Sequence, residues 1–267
     1  MMAIYYPPDV FADNDLCKPH IFEVHQSGTV AASSEQVGFP ATAPSNELTY
    51  ERWKPSALPA TWQIDFGTAR TVNYCAIAAH LLYYKVINVQ SSTDAANWVT
   101  QHSITPTDNA PIVVMFPNVS ARYWRLSINA GTNATYGSSI PTVGVIYFGA
   151  YLRFPWSLEV GISPLFMSRN TVYTTNISEG GNWLGRSMRR TSKSGSYTFK
   201  GMGRDWYKSN VDTMIRRARA RPFFFASSPL AMPWDVAYCW LTKDPVPTTQ
   251  AGMLMEVTLT MEAHGHD

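Results

Sequence analysis

The sequence is poor in charge. Charged residues make up 15% of the 267 residues, well below the roughly 25% of an average soluble protein. Hydrophobic residues reach 45%, which is ordinary, so the chain can bury a core but has few charges for a fully solvated surface. This balance favours a component of a larger assembly over a monomer surrounded by water.

Cysteines and long apolar runs are also scarce. The three cysteines, Cys17, Cys75 and Cys239, are far apart and form no C-x-x-C pair, so they predict neither a zinc site nor a disulfide framework. No segment approaches the roughly 18 apolar residues that span a bilayer. Residues 1–8 lack the basic and apolar regions of a signal peptide. We therefore expect no membrane insertion, synthesis in the cytoplasm, and exit from a cell by release.

Signatures of catalysis and of cofactor binding are missing as well. The sequence has no G-x-S-x-G motif, no glycine-rich strand–loop–helix motif for nucleotides and no D-x-D-x-N-G calcium loop. Paired carboxylates for glycoside hydrolysis need not be adjacent in sequence, so that alternative stays open. His264 and His266 alternate as a metal pair on a strand would, but terminal histidines are more often solvated. We expect no enzyme, no cofactor and no metal site.

Period-two patterns that predict strands dominate what the chain does contain. In the stretch 61–80, Trp62, Ile64 and Phe66 fall on one face, Gly67 breaks the strand and a second apolar run follows. The stretch 142–152 is apolar on both faces, as a buried closing strand would be. The other strands predicted in this half are an edge strand at 20–25 and strands at about 86–91, 97–103, 111–117 and 121–129.

Three segments of this half, in order, resemble the discoidin-type (coagulation factor 5/8 C-domain, galactose-binding-like) β-sandwich. The segment 62–67, W-Q-I-D-F-G, is similar to the family's W-x-x-V-D-L-G, and 121–126, A-R-Y-W-R-L, to its A-R-Y-V-R-L. Between them, 87–94 with Trp98 is similar to I-x-x-S-x-D-G-x-x-W. Ala95 stands where the family has glycine, so the turn after Asp94 must be built differently. The resemblance implies a jelly-roll sandwich but no particular ligand, because function lies in the loops.

The second half has a different pattern, with one helix. Five apolar residues recur at helical spacing and predict an amphipathic helix at about 204–221: Tyr207, Val211, Met214, Ile215 and Ala218. Gly201 and Gly203 precede it, which suits either an anion at the helix start or, as we favour, the geometry of the turn. Strands are predicted at 170–176, 223–225, 238–241 and 254–261, with a strand pair at 188–200.

A fainter resemblance covers about residues 155–265. The order of 180–187 (G-G-N-W-L-G-R-S), the helix, 221–225 (R-P-F-F-F), 236–240 (V-A-Y-C-W) and a closing strand is similar to minor tail or baseplate proteins of tailed bacteriophages. It implies a ring of identical subunits, a hexamer or trimer, at the tail tip of the virion. Its partners would be the tail tube, the hub and the fibres, and it would be assembled in the host cytoplasm.

Charge supports a division near residue 150. Residues 1–150 carry seven Lys/Arg and ten Asp/Glu, whereas residues 151–267 carry fourteen and nine. Four arginines cluster at the end of the predicted helix: Arg216, Arg217, Arg219 and Arg221. They could grip nucleic acid, but no aromatics lie between them and the chain is nearly neutral. We therefore predict a subunit contact with an acidic face, such as the sandwich half, and no specific nucleic-acid partner.

Carbohydrate is the ligand that the sandwich would take. Aromatic faces hold the C–H side of a sugar, and amide or charged groups hold its hydroxyls. The loop candidates for such a site are Tyr50, Trp53, Tyr83, Tyr84, Asn133 and Tyr136. The alternative is that these aromatics pack against a neighbouring subunit, so a host surface polysaccharide is one of two expected partners for these loops.

The sequence therefore predicts a mainly β protein of two domains. A discoidin-like β-sandwich (jelly roll) occupies residues 1–152, and a β-rich assembly domain with one amphipathic helix occupies residues 153–267. We expect a structural component of a phage tail tip or baseplate whose sandwich projects outward and binds surface glycan or neighbouring fibres. The alternative is a carbohydrate-binding, lectin-like protein that acts alone.

Overall fold

The computed structural model describes residues 2–23, 27–159 and 161–265. His25 and His266 lie outside the described residues. Up to residue 149 the elements are β1 (Ile4–Tyr5), α1 (Asp13–Leu16), β2 (His20–Phe22), β3 (Thr29–Ala32), a 3₁₀ turn (Ala43–Ser45), β4 (Ala60–His80), β5 (Val86–Ser92), β6 (Val99–Ile104), β7 (Ile112–Asn129) and β8 (Val143–Gly149).

The remaining elements form the second half of the molecule. They are β9 (Leu152–Arg153), a 3₁₀ turn (Leu165–Met167), β10 (Arg169–Ile177), β11 (Trp183–Gly203), α2 (Arg204–Trp206), a π-helical turn (Tyr207–Val211), α3 (Asp212–Ala218), β12 (Phe223–Ala226), β13 (Val236–Leu241), β14 (Thr248–Thr249), a 3₁₀ turn (Ala251–Met253) and β15 (Leu254–Ala263). The expected mainly β fold with one amphipathic helical segment is confirmed.

Two long, bent strands build the first half. β4 and β7 pair antiparallel, and their register is interrupted between Asp65 and Arg70, where Gly67 has a φ of +74°. Each strand therefore contributes one half to each layer of a sandwich. The apolar residues that the alternation of β4 predicted to face inward do so, since Trp62, Ile64 and Phe66 are all buried in the core between the layers.

Two residues of the quoted sequence segments are direct partners. Asp65, from the first segment, accepts two hydrogen bonds from the guanidinium of Arg122, from the third, at 2.7 and 2.8 Å. This bidentate pair joins β4 to β7 where both strands bend. The Arg122 guanidinium holds the pKa of Asp65 below its usual value. The first and third segments are thus joined by one ion pair across the sheet.

The turn after β5 shows how the chain manages without the family's glycine. The carboxylate of Asp94 accepts hydrogen bonds from the backbone N–H groups of Ala96 and Asn97, at 2.9 and 2.8 Å. Ala95, which lies between Asp94 and Ala96, has a φ of +61°, a left-handed conformation that costs an L-residue about 1–2 kcal/mol. The carboxylate therefore holds a turn that alanine by itself disfavours.

The second sheet contains a strand from the beginning of the chain. Its order is β10-β11-β15-β13-β12-β2-β9. β2 is an interior strand there, with His20 opposite both Ala226 of β12 and Arg153 of β9. The predicted edge strand at 20–25 is therefore wrong in its position, and burial of His20 lowers the pKa of its imidazole to about 4. The predicted division at residue 152 stays a prediction; β2, from before that division, pairs within the second sheet.

A buried layer joins the sandwich to the second sheet. The outer faces of β4, β7 and β8 pack against β2, β12 and β13 through one hydrophobic cluster. Two tyrosines cross this layer in opposite directions. The Tyr147 hydroxyl donates to the carbonyl of Pro222 at 3.2 Å, and the Tyr238 hydroxyl donates to the carbonyl of Glu47 at 2.9 Å. Burial raises the pKa of both tyrosines.

This layer explains why β8 is apolar on both of its faces. Every residue of β8 is buried. Ile146 and Phe148 face the core of the sandwich, and Val145 and Tyr147 face the layer between the sheets. The predicted closing strand is confirmed, and its second apolar face is accounted for.

The helical segment runs from 204 to 218, three residues shorter than predicted. Its predicted apolar stripe is buried throughout. Among the described residues, no helix has the length and apolar character that a bilayer crossing requires. The predicted strand pair at 188–200 is wrong, because β11 is one continuous strand of 21 residues. Residues 192–195, of sequence S-K-S-G, run extended where β11 passes from β10 to its new partner β15.

The turn after β5 generates a stability prediction. We expect Ala95→Gly to raise the free energy of unfolding by about 0.5–1 kcal/mol, because glycine adopts a positive φ without steric cost. Ala96 is also exposed and is not among the described residues with positive φ, so Ala96→Gly is the matched control and should lower it by about 0.5 kcal/mol. Urea denaturation measures both. Equal losses in the two variants would contradict the role assigned to Ala95.

Candidate functional site

Several loops emerge together at one end of the sandwich. Ala60 lies opposite Ile128, and Ile77 lies opposite Ile112. The start of β4 therefore meets the end of β7, and the end of β4 meets the start of β7. Each of these strands bends midway and continues in the other layer, so both of its ends lie at the same end of the sandwich. The loops that follow β4, β6 and β7 therefore share this end, which we call the loop end.

Three tyrosines come together at the loop end. Tyr83 and Tyr84 lie in the loop after β4, and Tyr136 lies in the loop after β7. The ring centroids of Tyr83 and Tyr136 are 4.8 Å apart, and those of Tyr83 and Tyr84 are 5.7 Å apart. The rings of Tyr84 and Tyr136 are stacked, with an angle of 13° between their planes. We call these three residues the tyrosine cluster. Sequence analysis selected all three, and the structure brings them into contact.

The backbone holds the first two tyrosines firmly. Tyr84 has a φ of +59°, an unusual conformation for a bulky residue. Its N–H donates to the carbonyl of Pro106 at 2.6 Å. The N–H of Tyr83 donates to the side-chain oxygen of Asn109 at 3.3 Å. Backbone strain of this kind persists only where the surrounding structure enforces it, and it concentrates at functional sites.

Asn133 positions the third tyrosine. Its side-chain oxygen accepts hydrogen bonds from the N–H groups of Thr135 and Tyr136, at 3.0 and 2.9 Å. That oxygen is therefore committed to the turn, and the amide nitrogen is the part of Asn133 that a ligand could use. Asn133, which the sequence predicts to contact a ligand, therefore also fixes the backbone at Tyr136.

A buried lysine lies beneath the cluster. The ammonium group of Lys85 donates to the carbonyl of Tyr136 and, at 3.0 Å, to the hydroxyl of Ser139. The side chain is fully buried, and burial lowers its pKa. Lys85 ties the loop after β7 to the start of β5. Sequence analysis missed it, because a lysine beside a strand usually points to solvent and nothing in the local pattern marks this one as buried.

Glycine 131 allows the two tyrosine-bearing loops to touch. A Cβ atom on Gly131 would lie 1.6 Å from the carbonyl oxygen of Tyr84. Gly137 closes the same loop, since its N–H donates to the carbonyl of Asn133 at 2.8 Å. The close approach of the backbones sets the distance between the Tyr84 and Tyr136 rings.

The other two predicted sugar-binding residues lie elsewhere. Trp53 is fully buried in the sandwich core, and its indole N–H donates to the carbonyl of Ser34 at 2.9 Å. It offers no surface to a ligand. Tyr50 is exposed and lines a separate cleft of about 330 Å³ with Phe39 and Arg52. The structure therefore groups Tyr83, Tyr84, Asn133 and Tyr136.

The four arginines predicted to form a subunit contact all have partners within the chain. Arg216 pairs with Asp212, Arg217 with Glu23, Arg219 with Asp244 and Arg221 with Glu47, at 2.6, 2.6, 3.0 and 3.4 Å. Arg221 thus meets the acidic sandwich half inside one molecule. The four arginine side chains are 52% to 73% exposed, so the predicted subunit contact stays a prediction.

Comparison with known proteins identifies the first domain. Residues 29–140 match the family model of the F5/8 type C domain. The match spans the three segments that pointed to this sandwich, so the predicted discoidin-like domain is confirmed. No curated protein matches the chain.

Solved structures similar to this chain include carbohydrate-binding modules. Chitosan-binding module 1 of a chitosanase/glucanase from Paenibacillus sp. IK-5 is 22% identical, with a TM-score of 0.41, and the match covers 47% of this chain and 97% of that one. The family 32 module of NanJ from Clostridium perfringens, in complex with galactose, is 17% identical over 50% of this chain and 99% of that one, with a TM-score of 0.41.

The family 32 module of AlyQ, in complex with 4,5-unsaturated mannuronic acid, is 19% identical over 46% of this chain and 95% of that one, with a TM-score of 0.40. At these identities and TM-scores, the likenesses carry no argument about what this chain binds.

The contact between the two tyrosine-bearing loops can be tested by substitution. Gly131→Ala should lower the free energy of unfolding by roughly 2–3 kcal/mol, because the new methyl group would overlap a backbone carbonyl that cannot rotate away. Gly203→Ala is the matched control. A Cβ there meets nothing within 4 Å and the φ of Gly203 is −59°, so its effect should stay within about 0.5 kcal/mol. Thermal unfolding of both variants measures the difference, and equal stabilities would contradict the proposed close approach.

Proposed function

We propose that the sandwich of this chain, whose residues 29–140 match the F5/8 type C domain, binds carbohydrate through the tyrosine cluster. The observation that carries this proposal is the contact of Tyr83, Tyr84 and Tyr136 at the loop end, where the backbone fixes their positions. The proposal concerns binding without catalysis, because the cluster supplies ring faces and amide groups instead of a nucleophile and its base.

The chemistry of the cluster suits a sugar. A pyranose ring has an apolar C–H face that packs on an aromatic ring, and hydroxyl groups at its edge that need hydrogen bonds. Tyr136 is exposed and Tyr83 and Tyr84 are partly exposed, so ring surface is accessible. Asn133 lies in the loop that carries Tyr136, and Asn109 lies in the neighbouring loop after β6, where it accepts a hydrogen bond from the N–H of Tyr83. The amide nitrogens of both can donate to hydroxyls. Both requirements are met within one loop cluster.

Preorganisation would limit the cost of binding. Ordering flexible side chains at an interface costs about 0.5–1.5 kcal/mol for each one. Here the buried ammonium of Lys85 and the turn of Asn133 already fix the backbone that carries Tyr136. A sugar would therefore meet a surface that is ordered before it arrives.

Isothermal titration calorimetry with galactose, chitosan oligosaccharide and unsaturated mannuronic acid tests the proposal. At least one of these sugars should bind, and Tyr136→Ala should weaken that binding about tenfold or more, since tenfold corresponds to about 1.4 kcal/mol of lost contact. Tyr173→Ala, an exposed tyrosine in the second half, is the matched control and should bind as wild type does. No binding by any probe, or full binding by Tyr136→Ala, would overturn the proposal. Loss of binding in Tyr50→Ala alone would move the site to the cleft beside Phe39.

A second proposal concerns the setting of this module. We infer that the chain is a structural component of a bacteriophage tail tip or baseplate, in which the β-rich second half assembles as a ring and the sandwich faces outward towards host glycan or fibres. One structural observation favours assembly over a lectin that acts alone. The hairpin β10–β11 carries exposed apolar side chains that are unusual on a solitary soluble protein: Val172, Tyr173, Ile177, Trp183, Leu184 and Met188.

Immunogold electron microscopy tests this setting. Antibodies against this chain should label one end of the tail on phage particles from cells that express it, because the proposed ring lies around the tail axis. Antibodies against the capsid are the control and should label the head. Particles without label at the tail, combined with intact sugar binding by the purified chain, would favour the lectin that acts alone.

A further inference from the structure

The hairpin β10–β11 continues beyond the sheet to which it belongs. The last residues that β11 shares with β15 are Lys193 and Ala263, whereas β10 stays paired with β11 as far as Ile177 and Trp183. Residues 169–177 and 183–192 thus form a two-stranded ribbon, which we call the arm. Nine extended residues span roughly 30 Å. A two-stranded ribbon alone is marginally stable in water, so a contact along its face or edge would stabilise it.

One face of the arm is apolar. Tyr173 lies opposite Met188, and Ile177 lies opposite Trp183. Cross-strand partners share a face, and Tyr173 and Ile177 are four positions apart on one strand, so all four side chains point the same way. The guanidinium of Arg186, 3.2 Å from the centre of the Tyr173 ring, lies on this face too.

The opposite face of the arm is polar except for Val172, which shares this face with Thr174. Thr174 lies opposite Ser187, and Arg189 donates to the hydroxyl of Thr174 at 2.7 Å. The ribbon is therefore amphipathic. Such a pattern is typical of a ribbon that packs its apolar face against another surface. Those of the apolar face and of the tip are 45% to 68% exposed, so no described part of the chain covers them.

A cleft lies at the other end of β11. It has a volume of about 420 Å³, and its lining includes Trp156, Glu159, Lys200, Gln250 and Leu254. The Trp156 indole N–H donates to the carbonyl of Gly201 at 3.0 Å, which holds the ring at the cleft while 62% of the residue stays exposed. We call this the Trp156 cleft.

The arm and the Trp156 cleft have complementary chemistry. The arm carries Arg169, Arg186, Arg189 and Arg190, of which Arg190 pairs with Glu262 of β15 at 2.5 Å, and the turn at its tip adds one acid, Glu179. At the cleft, Glu159 pairs with Lys200 at 3.0 Å. Glu256 lies beside the lining, where its carboxylate accepts a hydrogen bond from Gln250, so these three charged groups together carry one net negative charge. Both places also expose a tryptophan and a leucine. A basic, apolar ribbon and an acidic, apolar cleft can therefore meet without burying like charges.

The two surfaces cannot meet within one molecule. Arg186 and Lys200 lie on the same extended strand, roughly 45 Å apart at about 3.3 Å per residue. A subunit with a donor at one end and an acceptor at the other associates head to tail, and such contacts close into a ring or continue as a filament.

We propose that the arm of one copy of this chain docks in the Trp156 cleft of a second copy. Trp183 and Leu184 at the tip occupy the cleft beside Trp156 and Leu254, and Arg186 lies towards Glu159. This inference deepens the proposed ring and rests on it, since it names the contact between neighbouring subunits. It does not depend on sugar binding.

Mixing two variants tests the head-to-tail contact. Sedimentation velocity of the wild-type chain should show species larger than a dimer as concentration rises. Trp183→Ser/Leu184→Ser in the arm and Trp156→Ser/Leu254→Ser in the cleft should each remain monomeric. A mixture should form dimers and nothing larger, because one intact arm meets one intact cleft and the remaining surfaces are inactive. Val37→Ser/Val99→Ser removes two other exposed apolar residues and should assemble as wild type does.

Disulfide trapping gives an independent measurement that does not need the serine variants. In a Cys17→Ser background, the remaining cysteines are buried. Leu184→Cys chains mixed with Met253→Cys chains should form a cross-link between two different chains, and neither should cross-link with itself at a comparable rate. A wild-type chain that stays monomeric at high concentration, arm variants that still assemble, or a mixture that forms no dimer would overturn the proposal. Retained sugar binding in those cases would leave the proposed carbohydrate function standing.

Discussion

The structure depends on the buried layer between the sandwich and the second sheet. The sandwich already has a core of its own, so the outer faces of β4, β7 and β8 would be exposed apolar surface without this second contact. The hydroxyls of Tyr147 and Tyr238 satisfy carbonyl groups on opposite sides of the layer. Since buried hydroxyls need such partners, the layer specifies one relative orientation of the two sheets instead of merely joining them.

Because the sandwich and the second sheet have one relative orientation, the tyrosine cluster, the arm and the Trp156 cleft lie at fixed positions relative to one another. The tyrosine cluster belongs to the sandwich, whereas the arm and the Trp156 cleft belong to the second sheet. Because the buried layer fixes the sandwich against the second sheet, contacts made by the second sheet also determine where the loop end points. If subunits associate through the arm, every tyrosine cluster in the assembly faces the same way relative to the assembly axis. Weak sugar contacts could then act together on a surface that carries many copies of the sugar.

Local patterns in the sequence predicted much of the fold, whereas distant contacts decided what it missed. The alternation around Trp62 and the two apolar faces of β8 are local signals, and both were read correctly. Trp53 was placed in a binding loop, but the carbonyl of Ser34, nineteen residues earlier, satisfies its indole and allows its burial. Lys85 lacks any local sign of burial. The place of β2 in the second sheet depends on pairing with β12, about two hundred residues away.

The pairing of β2 with β9 has a further consequence. His20 and Arg153 are neighbours across two adjacent strands, so the two strands that flank the matched segment 29–140 lie side by side in the second sheet. A segment whose two ends lie close together can be inserted without interrupting the strands of the sheet that receives it. The underside of the sandwich rests on Phe224 and Tyr238 and is therefore constrained by packing, whereas the loop end has, among the described residues, no contact of this kind to preserve.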